Sequence, residues 1–196
     1  MTPPASPDEL DRSDMAQLAA GHDSALGNLM SRHGERLFHY LMRLLQNETE
    51  ASDLAEESFV RVYQNRGRFK LTRRFSPWLY AIATNLARDA QRYRTRHPNV
   101  SLEAEAMESG HRLSEMLPDT KPGPTQSLES AERAEAVRQA VAALPAELQV
   151  PLVLFTYEEK SHAEIAEILD CSAKAVEMRL YHARNQLRER LERVLG

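Results

Sequence analysis

Apolar residues recur three and four apart through most of this chain, and they nowhere alternate with polar ones as a half-buried strand requires. That period confines the fold to packed helices. From Asp23, which can cap a helix, Leu26, Leu29, Leu37, Leu41, Leu44 and Leu45 fall on one face. Thr49 can cap a second helix, with Leu54, Phe59, Val62 and Tyr63 inward and Asp53, Glu56, Glu57 and Arg61 outward. A basic, turn-like stretch from Asn65 to Phe75 follows. Ser76-Pro77 then opens a helix, because proline in the first turn needs no donor. It carries Trp78, Leu79, Ile82, Ala83 and Leu86 and runs to about Arg96.

Punctuation changes after Pro98. Pro98, Gly110, Pro118, Pro122, Gly123 and Pro124 interrupt any long helix, and apolar residues become sparse up to about Ser130. A structureless stretch of that length inside one compact domain is unusual, so the chain is expected to form two units. The pattern resumes with helices over about 129–143 and 145–157. Ser161-x-x-Glu164 is a capping box opening a short helix that ends near Leu169. Ser172 caps the last helix, with Val176, Leu180, Ala183, Leu187 and Leu191 inward. The expectation is an all-α chain of two small helical bundles, residues 10–97 and 131–196, joined by a flexible acidic linker over 98–130. Only 7 glycines and 6% aromatics agree with helix throughout.

Several classes fall away. No run approaches the roughly 18 apolar residues of a membrane span, and the N-terminus, MTPPASPDELDRSD, lacks the basic and apolar regions of a secretory signal. One cysteine, Cys171, cannot build a disulfide framework, and packing in a helix turn suits it better than redox sensing. These features predict a cytoplasmic protein with no membrane insertion. His33 and His39 are six apart rather than the three or four that put two ligands on one helical face, so neither a metal nor a cofactor is expected.

The net charge of -4 argues at first against nucleic acid, but the distribution is uneven. Residues 1–97 carry 14 basic and 12 acidic side chains, and the linker 2 and 6. Between Arg66 and Arg96 nine cations (Arg66, Arg68, Lys70, Arg73, Arg74, Arg88, Arg92, Arg94 and Arg96) face only Asp89. Phe69, Phe75, Trp78, Tyr80 and Tyr93 are interleaved with them. Together they make a basic patch with flat rings inside an acidic protein. On the residues alone, Trp78 reads equally well as a core aromatic.

Residues 161–184 have the layout of a helix-turn-helix. Ile165 and Leu169 supply an inner face, Ala166 allows a close crossing, Asp170-Cys171-Ser172 makes the turn, and Val176 and Leu180 anchor the second helix. Lys174, Glu177, Met178, Arg179, Tyr181, His182 and Arg184 remain outside, where the cations can meet phosphates and Glu177 can accept from a cytosine amine. An ordinary antiparallel helix pair has the same spacing.

The motifs become specific together. LPAELQVPLVLFTYEEKSHAEIAEILDCSAKAVEMRLYHARNQLRERL resembles region 4 of the extracytoplasmic-function (ECF) sigma factors, through Leu144, Pro145, Ser161, Glu164, Ile165, Ala166, Leu169, Ser172, Val176, Arg179, Leu180, Ala183 and Arg184. DLAEESFVRVYQNRGRF and SPWLYAIATNLARDAQRYRTR resemble region 2 of that family, through Asp53, Leu54, Glu57, Phe59 and Val62 and then Trp78, Leu79, Ile82, Ala83, Asn85, Leu86 and Asp89. The resemblance implies a non-enzymatic transcription initiation factor. Its partners would be the bacterial RNA polymerase core, promoter DNA and an inhibitory anti-sigma protein.

Carried over by position, the core-binding residues are Asp53, Leu54, Glu56, Glu57 and Arg61. Those for minus-10 recognition and melting are Arg66, Arg68, Lys70, Arg73, Arg74, Trp78, Asn85, Arg88 and Arg92. Those for the minus-35 element are Ser172, Lys174, Glu177, Met178, Arg179, Tyr181, His182 and Arg184. The sequence departs from the family at Asp170, where relatives usually carry glycine, at Gln149, where many carry arginine, and at Glu177, where many carry lysine. A conventional operator-binding regulator would need a ligand-binding or dimerisation domain in place of the region 2 pattern. A helical hydrolase would need converging carboxylates and histidines, and the sequence shows none.

Overall fold

In the computed structural model, residues 6–97 and 124–195 are described. They form eight α-helices and one short 3-10 turn, with no strand among them. Most of the linker expected over 98–130 lies outside the described residues.

Helix α1 (Pro7–Ala19) begins at a capping box in which Ser6 and Glu9 satisfy each other's backbone amides. Its apolar stripe is short, so periodicity alone does not single it out. Asp11 and Asp14 fix it instead, against α2 (Ser24–Leu45). Asp11, 1% exposed, accepts from Arg32 Nε at 2.9 Å and lies 2.8 Å from His33 Nε2. Asp14 accepts from Asn28 at 3.0 Å and pairs with the other arm of the Arg32 guanidinium. Burial by itself would raise the Asp11 pKa, but the hydrogen bonds and charges of His33 and Arg32 hold it below the usual carboxylate value.

On α2, Leu29, Leu37, Leu41, Leu44 and Leu45 are buried, as the 3–4 spacing predicts. Burying each such side chain stabilises the fold by about 1.5–3 kcal/mol. The helix stops at Gln46, in the left-handed region at φ 54°, and its side-chain amide donates to the Arg43 carbonyl at 2.9 Å. Asn47, rather than Thr49, caps α3 (Glu48–Gln64), its side chain accepting from the Glu50 amide at 2.8 Å. Asn47 is extended and one step before the first turn, which is the geometry capping requires. Asp23 stands at the start of α2 but makes no side-chain cap, since its own backbone is already helical.

After the 3-10 turn Arg66–Arg68, α4 runs Phe75–Arg96, starting one residue before Ser76-Pro77 and ending where the sequence predicts. Thr84 donates to the Tyr80 carbonyl at 2.6 Å, so the Tyr40 hydroxyl, 2.7 Å away, donates to Thr84. Gln91 and Arg94 donate to the Leu44 and Leu45 carbonyls, which the end of α2 leaves without helical partners.

The second half opens with α5 (Pro124–Ala142), earlier than the expected start near residue 129. Helix α6 (Ala146–Thr156) begins at Pro145 and tolerates Pro151 in its interior, where the ring is buried. Helix α7 (His162–Leu169) starts at the capping box of Ser161 and Glu164. Asp170 then adopts φ 49°, ψ 54°, the left-handed turn that glycine makes at less cost. Asp170→Gly is accordingly expected to leave stability unchanged or raise it by up to about 1 kcal/mol, since relief of the turn slightly exceeds the entropy gained by the unfolded chain. A thermal melt that showed a clear loss of stability would contradict that reading. Helix α8 (Ala173–Leu195) follows, its Ala175 amide capped by Ser172 at 3.1 Å.

The halves do not stand apart. Helix α7 packs on α4, and α5 and α6 pack on α2, so buried residues of both halves join one apolar cluster.

Candidate nucleic-acid interface

Two surfaces carry the side chains singled out by sequence. The first lies between α3, the 66–75 segment and α4. Phe69, Phe75 and Trp78 meet with ring centroids 4.9–6.2 Å apart, and His33 sits 5.2 Å from Phe75. Phe75 is buried, while Phe69 and Trp78 are half-buried and present ring area outward. Beside them is a cavity of about 270 Å³ lined by Arg61, Asn65, Arg68, Trp78, Ile82 and Asn85. Small-molecule pockets usually measure about 300–1,000 Å³, so this one suits a single flat ring better than a cofactor.

The cations around it divide into two sets. Arg68, Lys70 and Arg73 are exposed and make no ion pair among the described residues. Others are engaged: Arg66 donates to the Tyr63 carbonyl and lies over its ring, and Arg94 pairs with Glu50. Arg92 approaches Asp89 at 3.6 Å on the exposed face. Arg74 is held at 2.9 Å by both Asp8 of α1 and Glu164 of α7. Of the expected core-binding residues, Asp53, Glu56 and Arg61 are exposed on α3, Glu57 pairs with Arg61 at 2.9 Å, and Leu54 packs partly against the core.

The second surface is the N-terminal part of α8. Lys174, Glu177, Met178, Tyr181 and His182 are exposed at positions i, i+3, i+4, i+7 and i+8, one continuous stripe. Val176, Leu180 and Ala183 are buried on the opposite side. Lys174 bonds Glu177 at 2.9 Å, and that hydrogen bond with the accompanying charge lowers the Glu177 pKa. Arg179 and Arg184 are less free than their sequence positions suggest. Arg179 is half-buried, 3.5 Å from the Cys171 sulfur, and Arg184 lies over the Phe155 ring. Among the described residues no cluster of His, Cys, Asp and Glu could hold a metal, and no helix is long and apolar enough to cross a membrane.

Sequence reasoning missed a third feature, where α6 and α7 meet α2 and α4. Glu158, 4% exposed, accepts a 2.6 Å hydrogen bond from the Tyr80 hydroxyl and lies 3.7 Å from Arg36 and from Arg43. Lys160 donates to the Ser76 hydroxyl at 2.9 Å. A charged residue in the segment Tyr157–Lys160 reads as an ordinary solvated turn until its neighbours are known.

Two helical modules, one with a basic aromatic cleft and one with a helix-turn-helix, define a class of two-headed DNA-binding proteins. Comparison with known families narrows it. Residues 29–97 match the sigma-70 region 2 family and residues 134–187 match the sigma-70 region 4 family. The chain is 32% identical over 176 residues to the ECF RNA polymerase sigma factor SigW of Bacillus subtilis, covering 89% of this chain and 93% of that one. It is 30% identical over 182 residues to the RNA polymerase sigma factor CnrH of Cupriavidus metallidurans, covering 93% and 94%. The solved structure of CnrH in complex with the cytosolic domain of CnrY superposes with a TM-score of 0.68 at 27% identity, over 93% of this chain and 97% of that one. A second likeness, at 17% identity and TM-score 0.60, is to the fold of the sigma factor RpoE, solved with the anti-sigma factor NepR from Bartonella quintana, over 85% and 96%. The chain belongs to the ECF family of RNA polymerase sigma factors.

Proposed function

We propose that this chain is a dissociable promoter-specificity subunit of bacterial RNA polymerase, and that its two DNA-facing surfaces act together on one promoter. The observation that carries this reading is the pairing, on a single chain, of a basic aromatic cleft and an exposed recognition stripe. In this reading the stripe of α8 enters the major groove at the minus-35 element. Exposed Lys174 meets phosphate and Glu177 contributes to base choice once DNA separates the two.

At the minus-10 element, Arg68, Lys70 and Arg73 hold the backbone and the Trp78–Asn85 cavity receives an unstacked base. Asp53, Glu56 and Arg61 on the outer face of α3, with Glu57 and Leu54 behind them, form the seat on the polymerase core. The polymerase supplies the bond chemistry. The chain works in the cytoplasm, and an anti-sigma protein restrains it, as expected of a sigma factor without a sensor domain among the described residues.

Run-off transcription with purified core polymerase tests the proposal. The full chain should direct transcripts from a discrete set of start sites that core enzyme alone does not use. A complete absence of promoter-dependent transcripts, with no inhibitor present, would refute it.

A further inference from the structure

None of the residues lining the cavity beside Trp78 lies on α1, and α1 precedes the region 2 match, which begins at residue 29. Yet α1 packs on the 66–68 turn and on α4 as well as on α2. That turn carries Arg68, and α4 carries Trp78 and Asn85, so two elements that wall the cavity touch α1.

Two aspartates of α1 reach the same point of the chain, the Arg74–Phe75 junction where the basic segment becomes α4. Asp8 accepts from Arg74 Nε at 2.9 Å. A carboxylate only accepts, so His33 Nε2 donates to Asp11, at 2.8 Å. The His33 ring lies 5.2 Å from that of Phe75, tilted by 57°. The last side-chain torsion of histidine is broad, and a fixed acceptor selects one ring orientation from it. Phe75, 2% exposed, meets Phe69 at 6.2 Å and Trp78 at 6.1 Å. Tilted and edge-on ring contacts are directional, so the orientation of one ring constrains the next.

Stability alone does not call for this arrangement. Met15 and Leu18, fully buried, already tie α1 into the core, and a buried ion pair adds little over apolar residues of the same size. A binding surface, by contrast, keeps its geometry only when the side chains behind it are locked by packing and hydrogen bonds.

We propose that Asp11 and His33 are positioning residues for the DNA-opening site, through which α1 orients Phe75 and with it the Phe69–Trp78 platform beside the cavity. What the platform does rests on the sigma-factor reading, whereas the run of contacts from Asp11 to Trp78 stands without it.

Trp78 is the sole tryptophan, so its quenching by acrylamide in the full, free chain reports on the platform alone. His33→Leu keeps apolar bulk but loses the donor and the flat ring. It should raise the quenching constant roughly 1.5-fold and slow promoter opening with core polymerase roughly fivefold or more. Binding to the unopened promoter at low temperature should stay within about twofold, since Arg68, Lys70, Arg73 and the α8 stripe are untouched. Asp11→Leu should act in the same direction. Asp11→Asn, whose carbonyl oxygen still accepts from His33, should keep more than half of the wild-type opening rate. His33→Phe keeps a ring and loses only the bond to Asp11. It should move both readouts the same way by smaller amounts, and it covers the case in which the leucine variants do not fold. Unchanged quenching in every folded variant overturns the positioning role, and so does raised quenching with normal opening in a transcriptionally active chain. An Asp11→Asn chain that opens promoters no faster than Asp11→Leu overturns it as well. Raised quenching in a chain that directs no run-off transcripts supports the contacts from Asp11 to Trp78 while the sigma-factor reading fails.

Discussion

Trp78→Ala is expected to reduce promoter opening by roughly 5- to 150-fold, the loss of about 1–3 kcal/mol of stacking for one base. The residue is half-buried, with one side against Phe69 and Phe75 and another lining the cavity with Asn85 and Arg68. Packing and base contact therefore both depend on it, and the variants must separate them. Trp78→Phe keeps a flat ring in place and should restore most of the activity, because every base offers a face to an aromatic partner. Binding to core polymerase should stay within twofold of wild type for both variants, since the proposed docking face is on α3 and adjoins the Trp78 cavity only at Arg61. Permanganate footprinting of the melted region gives the opening, and a thermal melt gives the stability. If Trp78→Ala opens promoters like the wild type, the ring is a packing element and the cavity is not the site of the unstacked base.

Asp11→Ala should destabilise the first module by about 1–3 kcal/mol, because it removes the buried acceptor of Arg32 Nε and His33 while Asp14 still pairs with the other arm of the guanidinium. The melting temperature of the unit should fall on the order of ten degrees. The pH dependence follows from the direction of the Asp11 shift. Its pKa is lower folded than unfolded, so its contribution is complete above the unfolded value of about 3.9 and is lost as pH falls through the folded value. Urea midpoints between about pH 2.5 and 6 should therefore drop more steeply for wild type than for Asp11→Asn, which has no charge to lose. Parallel curves for the two proteins would show that the network contributes nothing through Asp11 ionisation.

Much of the fold could be read in the chain because helices signal themselves locally. The leucines of α2, the capping box at Ser161 and the Ser172 cap all act within one or two turns, and the structure places each as its spacing implies. The turn at Asp170 was legible for the same reason, and the structure adds that its backbone is left-handed, a conformation aspartate tolerates better than most residues. Boundaries were less secure. Thr49 and Asn47 are both competent caps, and the choice turned on which residue stays extended after the left-handed Gln46. Helix α1 escaped the periodicity because two aspartates, not leucines, anchor much of it.

The candidate site was legible in its residue types but not in their availability. Nine cations between Arg66 and Arg96 look alike on paper. Three-dimensional neighbours set Arg68, Lys70 and Arg73 apart from Arg66, Arg74 and Arg94, which are held by carbonyls or carboxylates. Likewise Arg184 follows the reading stripe in sequence but lies over Phe155.

The sequence alone determined the helical class, the two modules and the order of the basic aromatic and helix-turn-helix segments, since hydrophobic period and capping are properties of near neighbours along the chain. Only the tertiary structure decided that the modules close on one another through Glu158, Tyr80, Arg36 and Arg43. Glu158 is 78 to 122 positions from these three partners, and a contact between such distant groups depends on how preformed surfaces meet, which no local pattern encodes.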